Sequence, residues 1–122
     1  MAGIIKLVCV VFFLSLMSKG TLQCYPGTLT LKQVATGVHI SNKPEWRVII
    51  ANECLCTQSD AKILCAGFQT VEQVDPNIFA KSGDTCVINN GYPIHGHTSV
   101  NFTYAWDNAF AFGKITSQEN CS

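Results

Sequence analysis

Apolar and polar positions alternate with a period of two along much of this chain, and no segment repeats its apolar positions at helical spacing. "SVNFTYAW", residues 99–106, is the clearest case. Val100, Phe102, Tyr104 and Trp106 fall on one face, and Asn101, Thr103 and Ala105 on the other. "TLTLKQV" (28–34) sets Leu29, Leu31 and Gln33 against Thr30 and Lys32. "EWRVIIAN" (45–52) sets Trp46, Val48 and Ile50 against Arg47, with Pro44 just ahead of it, where it costs no ladder hydrogen bond. Residues 61–68, 70–74, 85–89 and 113–117 read as further extended pieces. Asp75 can cap and Pro76 suits a first helical position, which predicts one helical turn over 75–79. Asn90-Gly91 is a turn pair that tolerates positive φ, and Pro93 ends the ladder of the strand before it. About seven short strands separated by turn signals predict an all-β fold, an antiparallel β-sandwich.

The first residues follow another pattern. Lys6 precedes an uncharged run from Leu7 to Met17, and Ser18 and Gly20 supply small residues for cleavage after Gly20. This predicts a secretory signal peptide over residues 1–20 and a single mature domain over 21–122. The run is short for a bilayer span of about 20 residues, so a membrane anchor is the weaker alternative. Of 8 basic and 8 acidic residues, Lys6 and Lys19 leave with the leader, so the mature domain carries 6 basic and 8 acidic residues. That balance does not draw the protein to nucleic acid or to an anionic membrane surface.

Cys9 leaves with the leader too, and six cysteines remain: Cys24, Cys54, Cys56, Cys65, Cys86 and Cys121. An even number in a short exported chain predicts a disulfide framework, with 15 pairings open to six cysteines. Cys24 and Cys121 stand where they can tie the two ends into the body of the domain. Zinc is the rival reading, but Cys54-x-Cys56 is tight for a zinc knuckle. His95-Gly96-His97 can in principle hold a transition metal, but no third ligand is evident nearby beyond Asp84, and Gly96 between the two suits a turn with loop histidines better. His39 stands alone. The acids Glu45, Glu53, Asp60, Glu72, Asp75, Asp84, Asp107 and Glu119 are scattered, and no serine elbow or cysteine–histidine signature accompanies them. Neither catalysis nor a cofactor is expected, and no metal site.

With these residues in place, the chain resembles the plant tapetum-determinant family of small secreted cysteine-rich proteins. The carriers run from Cys24 to Cys121: Gln33 in the first strand, then Trp46, Val48, Ile50, Asn52 and Cys54, then Cys65 with Phe68, "VDPNIF", "CVINNGYP" and the Phe-x-Tyr strand in "NFTYAW". The resemblance implies a secreted, non-enzymatic ligand for leucine-rich-repeat receptor kinases, of the kind that directs cell fate in anthers. The sequence departs from the founding pattern in its tight Cys54-x-Cys56, in Trp46 where tyrosine is usual, and in having no dibasic cleavage site between leader and domain. These departures imply a neighbouring subgroup. A second, fainter resemblance is to the carbohydrate-binding module of some plant endoglucanases. It implies a cell-wall polysaccharide as the alternative partner.

Trp46 and Trp106 separate these readings. Each shares parity with core positions, but an exposed tryptophan would stack on a sugar or anchor a protein contact. "YAWDNAFAF" is unusually aromatic for a strand end and its loop. Trp46, Tyr104, Trp106 and Phe110 are therefore the candidate contacts. Asn101-Phe102-Thr103 is an N-glycosylation sequon, usable if the outer face of its strand meets solvent. Asn120-Cys121-Ser122 also matches but uses a cysteine expected to be bridged.

Overall fold

Ser41 and Asn42, both left-handed at φ 50° and 67°, form a two-residue turn that folds strand β1 (Leu29–Ile40) back on β2 (Lys43–Asn52). Such turns match the twist of the strands they join. The computed structural model that shows this hairpin describes residues 29–121; the expected leader and Cys24 lie outside the described residues. Five further strands follow: β3 (Thr57–Leu64), β4 (Phe79–Ser82), β5 (Thr85–Ile88), β6 (Ser99–Ala105) and β7 (Ile115–Asn120). The first sheet runs β1-β2-β6 and the second β4-β5-β3-β7, all pairs antiparallel. The expected antiparallel β-sandwich is what forms.

Alternation fixes which side chains meet between the sheets. Leu31, Ile50 and Val100 share one row of the first sheet, and Gln33, Val48 and Phe102 the next. Ile63 and Cys86 sit opposite each other in the second. Val48, Ile50, Ile63, Cys86, Ile88 and Tyr104 are essentially sealed from solvent. A layer of aromatic rings joins the two sheets. Phe79 of β4 stacks on Phe102 of β6 with centroids 4.2 Å apart. Phe68, from the loop after β3, meets Phe79, Tyr104 and Phe110 edge-on at 5.1–5.6 Å. Edge-to-face pairs of this kind add about 0.5–1.5 kcal/mol each to the burial of the rings.

The disulfides do a different job. Cys65–Cys86 is buried and links the end of β3 to β5, and Cys56–Cys121 links the start of β3 to the end of β7. Both lie within the second sheet. Their loops, 21 and 65 residues long, are of the size for which cross-linking the unfolded chain gives roughly 3–4 kcal/mol each. Cys121 thus ties the C-terminal end into the domain. Cys54 is disulfide-bonded as well.

Several elements differ from the pattern-based expectation. β1 continues past residue 34, bending at a register shift between Ala35 and His39, where Gly37 is left-handed at φ 86°. β3 starts earlier than expected and stops at Leu64, because Cys65 and Ala66 lead into a turn at Gly67, φ 84°. Its polar first half is recruited by pairing with β7, across a bulge at Asp60. Residues 70–74 are not a strand. The Thr70 hydroxyl accepts from the Glu72 N–H at 3.1 Å and bends the chain. The expected turn at 75–79 is present: the Asp75 carboxylate accepts from the Asn77 N–H, and its carbonyl accepts from Ile78 and Phe79. It stops there because Phe79 enters β4. Asn89, Asn90 and Gly91 are all left-handed, in a single 3-10 turn that carries the chain from β5 toward β6.

One buried polar side chain organises the end of the sandwich that holds Cys54 and Cys56. Asn52 donates to the carbonyls of Cys56 and Ile94, both at 2.9 Å, and accepts from the Cys54 N–H at 3.0 Å. Truncation would leave the Cys56 carbonyl and the Cys54 N–H without this partner, while the Ile94 carbonyl keeps its bond from the Gln58 N–H. Asn52→Ala is expected to cost about 1–3 kcal/mol, seen as a lower denaturant midpoint with an unchanged slope. An unaltered midpoint would show that the loops do not depend on this side chain.

Candidate functional site

The four candidate contact residues gather at the end of the sandwich where β2 begins and β6 finishes, but at different depths. Trp46 and Tyr104 are register partners across β2 and β6. The Trp46 indole N–H donates to the Trp106 carbonyl at 3.2 Å, and the Trp106 N–H donates to the Pro44 carbonyl at 3.2 Å. Both tryptophans pack one side against the core and keep the other accessible. Lys43 lies 4.9 Å over the Trp106 ring and forms an ion pair with Asp107 at 2.7 Å. The corner thus presents two half-exposed indoles framed by one cation and one anion. The ion pair is largely exposed, so it orders this corner more than it stabilises the fold.

Tyr104 belongs to the core, contrary to the expectation that it meets a partner: it is 0% exposed. Shared parity placed it with Trp106, but it sits further inside the strand, under the loop that follows. Its hydroxyl donates to Gln33 Oε1 and accepts from the Phe110 N–H at 2.7 Å, while Gln33 Nε2 donates to the Phe110 carbonyl at 2.7 Å. This closed ring satisfies a tyrosine, a glutamine and a loop peptide at once. Burial raises the Tyr104 pKa above its ordinary value, opposed by the Phe110 hydrogen bond. Phe110 is held as the lid of this ring and packs against Phe68 and Phe112.

A strap formed by residues 70–72 runs beside the end of β6. The Val71 N–H donates to the Ala105 carbonyl, and the Ala105 N–H donates to the Thr70 hydroxyl, both at 3.0 Å. A hydroxyl here stands in for the carbonyl of a paired strand and covers part of an open sheet edge. The strap brings Glu72 against Glu45. Thr103 donates to Glu72 Oε2 at 2.8 Å, and Thr36 donates to Glu45 Oε1 at 2.7 Å. Glu72 Oε1 is buried with no hydrogen-bond partner. Burial, reinforced by the Glu45 carboxyl, raises the Glu72 pKa despite the Thr103 hydroxyl. The Thr36 hydroxyl, helped by Glu72 and the Arg47 charge, lowers that of Glu45.

Sequence reading picked out neither the strap nor this carboxylate pair, since Glu45 and Glu72 lie far apart in the chain and neither is in a motif. A shallow groove of about 370 Å³ opens beside the strap, with Phe68, Val74, Phe79 and Lys81 in its walls.

The remaining candidates lie elsewhere. His95 and His97 are exposed loop residues on either side of Gly96. A Cβ on Gly96 would approach the Leu55 carbonyl oxygen to 2.3 Å, so the glycine serves packing between loops. Cys54, Cys56 and Glu119 form the sole cluster of potential metal ligands among the described residues, but both sulfurs are in disulfides and offer no thiolate. Asn101 is exposed on the outer face of the first sheet. Among the exposed large apolar side chains, Tyr92 is the single aromatic, so no flat aromatic row faces solvent in the described residues.

These features define a small disulfide-stapled β-sandwich whose aromatic strand end is locked by a buried tyrosine–glutamine ring. The chain belongs to the family described as Tapetum determinant 1, C-terminal, which matches residues 26–122. It is similar to TPD1 protein homolog 1 of Arabidopsis thaliana, 29% identical over 101 residues, covering 80% of this chain and 55% of that protein. It is also similar to TPD1 protein homolog 1A of Oryza sativa subsp. japonica, 29% identical over 90 residues, 66% of this chain and 39% of the relative. An uncharacterised Arabidopsis thaliana protein is 27% identical over 81 residues, 63% of each chain. The chain spans about half the length of the TPD1 homologues it matches. No solved structure matches it. Among the described residues no helix is long and apolar enough to cross a membrane.

The carboxylate pair sets a pH dependence. A glutamate whose folded pKa is raised binds more protons folded than unfolded, so Glu72 favours the folded state at low pH. That contribution is lost as pH climbs from the ordinary glutamate value of 4.5 through the raised one. Glu45 acts oppositely, losing its contribution as pH falls through its lowered value. Glu72→Gln is expected to flatten the decline above the ordinary value and to raise the thermal midpoint at neutral pH relative to the native protein. Parallel stability–pH curves for the two proteins would refute the coupling.

Proposed function

We propose that this protein is a secreted signalling protein that binds the ectodomain of a leucine-rich-repeat receptor kinase and acts in cell-fate specification during reproductive development. The observation that carries the reading is the family match, which runs through nearly the whole described domain. Export and an apoplastic location are part of the proposal, supported by a disulfide-bonded core of the sort that persists in oxidising compartments. A binding role, with no chemistry of its own, agrees with the geometry: the aromatic corner at Trp46 and Trp106 offers indoles and a charge pair, the residue types that anchor protein contacts. The indoles are partly buried and no flat aromatic row faces solvent among the described residues, which favours a protein partner over a polysaccharide chain. Phe110 contributes behind them by holding the loop that follows β6.

The test is a binding panel of leucine-rich-repeat ectodomains with the oxidised protein. Saturable binding to one of them is expected, and reduction should abolish it. Lys43→Glu reverses the cation beside Trp106 at a partly exposed position, and should weaken binding by about tenfold, equivalent to about 1.4 kcal/mol, with an unchanged circular dichroism spectrum. Absence of binding across the panel, together with retardation on cellulose, xyloglucan or callose gels, would replace the receptor reading with the polysaccharide one.

A further inference from the structure

The sequon Asn101-Phe102-Thr103 lies in the middle of β6, where the strand's alternation decides which way each side chain points. Phe102 points inward and stacks on Phe79, so Asn101 points out and is exposed. Its register partner across the sheet is Ile49 of β2, whose own partner on the far side is Lys32 of β1. β6 is an edge strand, and the strap reaches its end at Thr103 and Ala105, beyond Asn101. Ile49 is half-buried on this outer face, and Val34, which lies diagonally from it on β1 with Arg47 as its own register partner, is 45% exposed. The face thus combines an accessible carboxamide with the apolar Ile49 and Val34 and the exposed Lys32 and Arg47, and no other sheet covers it. The second sequon is built differently. Cys121, its middle residue, is bonded to Cys56, and Asn120 directs its amide nitrogen at the Ser59 hydroxyl.

We propose that Asn101 is an N-glycosylation site and that its glycan lies over the outer face of the first sheet, above Ile49 and Val34. The co-reactant is a lipid-linked oligosaccharide pyrophosphate. The Asn101 amide nitrogen attacks C1 of the terminal sugar, and a C1–N bond forms as the C1–O bond to the pyrophosphate breaks. The lipid pyrophosphate leaves with the bonding pair, and a base of the transferase takes the amide proton. No atom changes oxidation state. In the folded protein the Thr103 hydroxyl is committed to Glu72, so the transfer precedes closure of the strap and takes place on the extended chain. The glycan then makes this face unavailable to a closely fitting protein partner. Trp106, five residues on and just past the end of β6, is roughly 17 Å away at strand spacing, so the aromatic corner stays open.

The inference requires the export proposed above but not the receptor. Its test is expression of the full chain in plant cells, with peptide mapping of the recovered protein before and after enzymatic removal of N-glycans. A glycan on the Asn101 peptide is expected, with conversion of Asn101 to aspartate on removal and a downward gel shift. Asn101→Gln should lose the modification, while Asn120→Gln and Thr103→Ser should keep it. Mapping on the native chain keeps the test independent of how any variant folds. Protein in the medium with a bare Asn101, or with a glycan on Asn120 alone, overturns the proposal and leaves export standing. A chain that stays in the cytosol overturns both. Loss of ectodomain binding with the glycan present would count against the receptor reading alone.

Discussion

The two sheets of this domain are held together by aromatic contact. Both described disulfides close pairs of strands within the second sheet. Alongside the aliphatic core of Val48, Ile50, Ile63 and Ile88, a group of rings centred on Phe68, which touches Phe79, Tyr104, Phe110 and Phe112, keeps the first sheet against the second. Phe68 comes from neither sheet but from the turn after β3, so the end of β3 at Cys65 and the left-handed Gly67 set where it enters. The buried Cys65–Cys86 bridge fixes that turn against β5. Covalent and hydrophobic constraints are therefore arranged in series: the bridge fixes the turn, the turn aims the ring, and the ring joins the sheets.

The Tyr104 ring of hydrogen bonds extends this arrangement to the surface. Tyr104 contributes its face to the aromatic layer and its hydroxyl to Gln33 and the Phe110 peptide. Through Phe110 the core reaches the loop that leaves β6 beside Trp106. A change deep in the layer is thus coupled to the posture of the aromatic corner. The corner is packed against the aromatic layer from below and carries the Lys43–Asp107 pair at its rim.

Much of the fold was readable from alternation. Residues 99–105 and 45–52 carry a period of two strong enough to give their faces and, with the turn signals, the sandwich. Cys121 at the C-terminal end was readable as a tie. Depth was not. Tyr104 and Trp106 have the same parity and similar size, yet one is sealed and the other half-open, because depth depends on where the following loop folds back. The extended piece expected at 70–74 does not form a strand: a threonine hydroxyl replaces one ladder carbonyl, and the pairing ends after a single link. β4 went unnoticed because "FAKS" is too short to show a period, and its place is set by Phe79 stacking on Phe102. The Glu45–Glu72 pair has no sequence signal at all, since it arises where the strap crosses the first sheet.

The Cys56–Cys121 bridge brings together residues 65 apart in the chain, with Cα atoms 4.5 Å from each other. From β3 to β7 the polypeptide is thereby a covalent ring, with the Cys65–Cys86 link as a chord across it. A ring stays in one piece when cut once. A protease that nicks the long loop between β6 and β7, or the turn at residues 89–91, leaves both products joined and the second sheet still stapled. Damage of that kind adds one water and releases no fragment until the sulfurs are reduced, so the second sheet outlasts a single cut.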